Sequence, residues 1–130
     1  MENTGIQTLS ISHTNPGDLY DLGMLEDMDD EVYTLEVLEV FLTETARELA
    51  EMKMAMLSGN IDAVCKKAHS IKGGAGIIQA TTLIRLMEAI EASGKNGSAA
   101  NQLAGLADKA TFQYNCIERE LKKKMPGLRI

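Results

Sequence analysis

Apolar residues return every third or fourth position along most of this chain, with polar residues filling the opposite faces. Asp29 or Asp30 is suited to cap a long helix in which Leu35, Leu38, Leu42, Thr45, Leu49, Met52 and Met56 recur at helical spacing and form one stripe. Ser58-Gly59-Asn60 ends it: Gly59 suits a left-handed C′ position and Asn60 can cap the next helix. That second helix carries Ile61, Val64, Ala68, Ile71, Ala75 and Ile78 on one face. Gln79-Ala80 connects it to a third, with Thr81 or Thr82 as cap and Leu83, Leu86, Met87 and Ile90 inward. After the Ser93–Gly97 loop a last helix runs from about Ser98, with Leu103, Leu106, Ala110, Ile117 and Leu121 inward and Lys122–Lys124 at its dipole-favoured end. Ahead of these, Asp18 can cap a short helix bearing Leu19, Leu22, Met24 and Leu25, interrupted by Gly23, and residues 1–17 read as a flexible polar lead-in. The prediction is all-α: an up-down-up-down four-helix bundle over residues 18–125 with a short extra N-terminal helix across one end.

Composition agrees. The 130 residues include 15 Leu, 14 Ala and 8 Met against 4 Val, a balance that favours helix over sheet. The net charge of −6 argues against a nucleic-acid binder or a protein of anionic membrane surfaces. No apolar run approaches the ~20 residues that span a bilayer, and the polar start is no signal peptide, so a cytoplasmic protein is expected, and a self-contained bundle makes monomer the default. Cys65 and Cys116 cannot form a zinc site alone, and reduced thiols are favoured over a single disulfide. His13 lies in the lead-in and gets no role; the methionines read as core filler.

One segment breaks the local rules. Residues 65–78 read Cys-Lys-Lys-Ala-His-Ser-Ile-Lys-Gly-Gly-Ala-Gly-Ile-Ile, with three glycines in a helix interior. Each costs roughly 0.5–1 kcal/mol relative to Ala. Either the helix stops near Lys72 or something compensates; the apolar spacing, continuing to Ile78, favours a continuous helix. At ~100° per residue, with His69 at zero, Gly73 falls near +40°, Gly76 near −20°, Cys65 near −40°, Lys72 near −60° and Lys66 near +60°. The apolar face lies ~150–180° away. His69 therefore projects outward with bare backbone beside it and a cation one turn along. An imidazole in water is substantially neutral and nucleophilic at cytosolic pH, and Lys72 is within reach of a phosphoryl group on the ring. No hydrolytic triad and no Gly-rich nucleotide cradle accompany it. A nucleophile with phosphate-binding help and no nucleotide site points to a relay.

The stretch Ala68-His69-Ser70-Ile71-Lys72-Gly73-Gly74-Ala75-Gly76 resembles the signature of the histidine-containing phosphotransfer (HPt) domain family, Ala-His-x-x-Lys-Gly followed by small residues. The likeness spans residues 18–123 and includes Phe41, the Gly59-Asn60 break, Leu83 and Leu86. The resemblance implies a phosphoryl carrier, not a kinase: His69 accepts the group, Lys72 stabilises it and Gly73 keeps the ring accessible. It implies response-regulator receiver domains or a hybrid sensor histidine kinase as partners in multistep two-component signalling. No cofactor or metal is expected on this chain, Mg2+ belonging to the partner receiver. Two positions depart from the family pattern: Gln79 stands where many members have Gly, and Glu91 where some have a neutral polar residue on the facing helix near the site; its charge would oppose a phosphate, so Glu91 is not taken as a site residue.

A partner surface can be placed around His69. Lys66, Lys67 and Lys72 form a local positive patch, Lys67 contributing least because it lies about 160° from His69. Gly76 lies on the exposed face. Val37, Val40 and Phe41 either supply an apolar patch beside His69 or pack under the N-terminal helix. Cys65, one turn before His69, is expected to be partly exposed without a redox role. The rival reading is a helical adaptor that docks receivers or other signalling partners without transferring phosphate; a nucleotide-dependent enzyme is weaker still.

Overall fold

The computed structural model describes residues 19–97 and 100–129. Among the described residues five helices succeed one another: α1, Gly23–Glu26; α2, Glu31–Leu57; α3, Ile61–Ile77; α4, Thr81–Lys95; and α5, Ala100–Lys124. Among the described residues there is no strand. Connections of a few residues make consecutive helices antiparallel. Helix α3 packs on α2 and α4, and α5 packs on α4 and back on α2, which closes a four-helix ring. The predicted bundle is therefore the observed fold.

Its centre is the set of stripes read from the sequence. Leu38, Leu42 and Met52 of α2, Val64, Ala68 and Ile71 of α3, Leu83, Met87 and Ile90 of α4, and Leu103, Ile117 and Leu121 of α5 are fully buried. The stripes are wider than their spacing indicated. Phe41, Ala107 and Tyr114 are buried too, whereas Leu35, Met56, Leu86 and Leu106 lie only partly inside. Tyr114 is admitted because its hydroxyl donates to the Leu42 carbonyl at 2.7 Å. Met24, Met28 and Met54 are exposed, so the methionines are not uniformly core filler.

The turns explain the helix ends. At the end of α2 the Asn60 N–H donates to Ala55 O (2.9 Å) and the Gly59 N–H to Met56 O (3.1 Å), with Gly59 at φ +74°. This pair of bonds satisfies carbonyls that the last turn leaves open. Helix α3 ends in the same pattern, Ala80 N–H to Ala75 O (3.0 Å) and Gln79 N–H to Gly76 O (3.2 Å), but the left-handed residue is Gln79, at φ +50°. The helix end is kept without the glycine. That tight turn also overturns the expected cap of α4: Ala80 takes the cap position, makes no side-chain hydrogen bond, and leaves Thr81 inside the helix. Asn60 and Asp30 do cap, accepting from Ala63 N–H (3.1 Å) and Tyr33 N–H (3.0 Å).

The predicted N-terminal helix is shorter than expected. Gly23 begins α1 rather than interrupting it, since the Asp21 carboxylate accepts the Gly23 N–H at 2.8 Å. Leu19, Tyr20, Leu22 and Leu25 are nonetheless buried. The Asp21 N–H donates to Ile78 O (2.8 Å), which fastens this segment across the end of the bundle that holds the α3–α4 turn. The lead-in of residues 1–17, with His13, and Asp18 fall outside the described residues, as do Ser98 and Ala99, where the last helix was expected to start.

Candidate functional site

Helix α3 runs unbroken through all three glycines of its last turns. Its inward face, Val64, Ala68, Ile71 and Ala75, is buried and holds the helix to the core through that stretch. The outer face carries His69, whose side chain is 73% exposed. A Cβ built on Gly73 or Gly76 would meet nothing within 4 Å. No packing contact therefore demands glycine at either position. Their absence of side chains leaves the helix backbone open beside the imidazole.

Helix α4 supplies the other wall. A Cβ on Gly94 would lie 2.6 Å from Cys65 Sγ and 3.3 Å from Ile61 Cγ2, so glycine permits α4 to approach α3 closely there. Cys65 is half-buried in that seam, its Sγ 3.9 Å from the Glu91 carbonyl oxygen. One face of α4 thereby brings Glu91 to the phosphotransfer-like residues. Glu91 Oε1 is 2.9 Å from Lys72 Nζ, and Oε2 is 3.4 Å from His69 Nδ1. The hydrogen bond from Lys72 holds the Glu91 carboxyl below the usual carboxylate range, with His69 adding to the effect and partial burial opposing it. A carboxylate facing Nδ1 favours the ring proton on that nitrogen and leaves the Nε2 lone pair free.

On the α2 side of α3 lies an apolar groove lined by Tyr33, Val37, Val40, Phe41, Gly74 and Ile77, among others. Phe41 forms its buried floor, while Val40 and Ile77 are exposed on its rim. Glu36, Glu44 and Glu48 flank it, and Glu48 accepts a hydrogen bond from the Ser70 hydroxyl, next to His69.

An exposed histidine with a lysine one turn on, on a bundle helix, has a counterpart among known families. The family model of the Hpt domain matches residues 36–125. The chain belongs to the Hpt domain family. Histidine phosphotransfer in phosphorelay signalling is the activity of that family, whose members interact with receiver domains and kinases of two-component systems. No curated protein and no solved structure matches the chain.

In this Hpt domain, His69, Lys72, Gly73 and Gly76 share one region of α3, as the helical wheel placed them. The lysines do not form the positive patch expected of them. Lys66 pairs with Asp62 (3.1 Å), Lys67 reaches Glu51 of α2 (2.7 Å), and Lys72 pairs with Glu91. The first pairing is a consequence of i,i+4 spacing; the other two depend on how neighbouring helices face α3. Val37 and Phe41 line the groove on the α2 side, Phe41 from inside the core. Glu91, set aside in the sequence for its charge, is the side chain that bridges His69 and Lys72. The resemblance placed this position near the site; what it left out was that the carboxylate there engages both the lysine and the ring. Among the described residues, no group of three or more His, Cys, Asp or Glu side chains is placed to hold a metal ion, and no helix is long and apolar enough to cross a membrane.

Proposed function

We propose that this Hpt domain relays phosphoryl groups between receiver-domain aspartates through Nε2 of His69. The Nε2 lone pair attacks the phosphorus of a receiver's aspartyl phosphate. An N–P bond forms as the P–O bond to the carboxylate breaks, and the carboxylate leaves with the electron pair. The ring keeps its Nδ1 proton, so the phosphorylated ring is cationic and faces Glu91. In the reverse direction a receiver aspartate attacks the same phosphorus and neutral imidazole leaves. The receiver brings the divalent cation of its own acidic site; this chain contributes nucleophile, access and one ammonium group.

The observation that carries the reading is the exposure of His69 beside two glycines whose side-chain positions are open space. A phosphorylated receiver must bring phosphorus to within near-attack distance of Nε2, about 3–3.5 Å, and bulk beside the ring would prevent it. Lys72, Gly73 and Gly76 act at the ring. The groove of Val37, Val40, Phe41 and Ile77 supplies the apolar part of the docking surface; with the lysines paired, it outweighs positive charge in holding a receiver. Lys66, exposed in a pair with little intrinsic strength, remains available to a partner.

The test is transfer. Receiver domains labelled with radioactive acetyl phosphate are mixed with the chain and with His69→Gln. The parent acquires an acid-labile, base-stable label and the variant acquires none. Equal labelling of the variant refutes the assignment. Stable docking of receivers with no transfer from any of them establishes the adaptor reading instead.

A further inference from the structure

Glu91 is the feature of this site that a phosphate carrier does not need. Its side chain is 15% exposed and lies between His69 and Lys72. Around it, α3 presents Lys72 and His69, while Glu88 and Lys95 of α4 line the same hollow with Ala92 and Asn96. The Lys72 ammonium therefore has two claimants: the Glu91 carboxylate, which holds it at 2.9 Å, and a phosphoryl group on His69.

We infer that Glu91 is an internal competitor for Lys72, poising the phosphoryl equilibrium between His69 and a receiver aspartate toward the receiver. The inference rests on His69 as the phosphorylated residue. If Lys72 turns to the phosphoryl oxygens, Glu91 is left without its ammonium partner near a dianion. If Lys72 stays, the phosphoryl group lacks its cation. Either way phosphorylation gains one ion pair fewer than it would with a neutral residue at position 91, because the unphosphorylated site already holds the Lys72–Glu91 pair. The contact with the ring works in the opposite direction, because a protonated, phosphorylated imidazole attracts the carboxylate. That contact is longer, 3.4 Å, and belongs to a ring that is 73% exposed, whereas Lys72 is 28% exposed. Solvent screens the ring contact more, and the Lys72 effect prevails. Glu91 acts through Lys72 and is a positioning residue.

The experiment measures the equilibrium distribution of label between receiver and chain, approached from both directions, for the parent, Glu91→Gln, Lys72→Ala and the double variant. Glu91→Gln is expected to hold about three- to tenfold more phosphoryl group on His69 relative to receiver. In the Lys72→Ala background the same substitution should change the ratio less than about twofold. An unchanged ratio, or a shift toward the receiver, overturns the inference. So does an equal shift in the Lys72→Ala background, which assigns the effect to direct repulsion. A parent chain that takes no label from any receiver overturns the His69 reading and this one together, a result distinct from labelled chains with equal ratios.

Discussion

Replacing Gly73 and Gly76 by alanine should make this protein more stable while making it a poorer phosphoryl acceptor. Both positions lie within α3, Gly76 in its last turn, both are exposed, and an added Cβ meets nothing within 4 Å at either. The substitution thus brings the helix-propensity gain without a steric charge against it, roughly 0.5–1 kcal/mol per site. The pair together amounts to about 1–2 kcal/mol, which for a domain of this size raises Tm by roughly 4–8 °C. Thermal unfolding followed by far-UV circular dichroism reads the first effect. Initial rates of label transfer from a phosphorylated receiver read the second. Alanine narrows the approach to the ring only slightly, so the sharper probe is Gly73→Leu, which should leave the bundle folded and slow transfer by about 10²-fold. A double alanine variant that melts below the parent would show that the glycines serve packing. Parental transfer rates in Gly73→Leu would refute the access argument outright.

Particular contacts carry three further expectations. Gln79→Gly should stabilise the fold by about 0.5–1 kcal/mol, since Gln79 sits at φ +50° where glycine avoids the strain; chemical denaturation reads it, and a loss of stability would contradict the turn as described. Gly94→Ala should destabilise by about 1–2 kcal/mol because its Cβ would lie 2.6 Å from Cys65 Sγ, and Cys65→Ala should recover much of that loss in a double-mutant cycle. Tyr114, buried and bonded to Leu42 O, has its phenol pushed up to about 12, chiefly by burial and then by Glu118. A raised folded value means that its stabilisation is complete below about pH 10 and is lost as pH rises toward 12, about 2–3 kcal/mol in all. Tyr114→Phe should be about 0.5–1.5 kcal/mol less stable at pH 7 and should lose that alkaline decline.

What could be read in the chain was whatever a single helix fixes by itself. The rotation of about 100° per residue placed His69, Gly73 and Gly76 on one face and Val64, Ala68, Ile71 and Ala75 on the other, and the structure keeps that division. Persistence of the apolar spacing to Ile78 outweighed the three glycines because tertiary burial, not propensity, holds a bundle helix together. Facts that depend on how one helix faces another were hidden. The pairing of Lys67 with Glu51, of Lys72 with Glu91 and of Ser70 with Glu48 each joins α3 to a neighbour, and the first two turn lysines of the expected positive patch into ion pairs. Burial of Phe41 and Tyr114, at the margins of their stripes, was set by the same inter-helix geometry. The α3–α4 connection at Gln79-Ala80 was legible, but its cap was not, for a local reason: the left-handed position is held by Gln79, a residue that gives no such signal, and closing the turn there moved the cap from Thr81 or Thr82 to Ala80.

The relay depends on where the phosphoryl group sits. The most direct measurement is site mapping by mass spectrometry under neutral, non-acidic conditions after transfer from a phosphorylated receiver. One phosphoryl group on His69, absent in His69→Gln, is the predicted result; a phosphoryl group on any other residue, or an unmodified His69 after exposure to every available receiver, would contradict it.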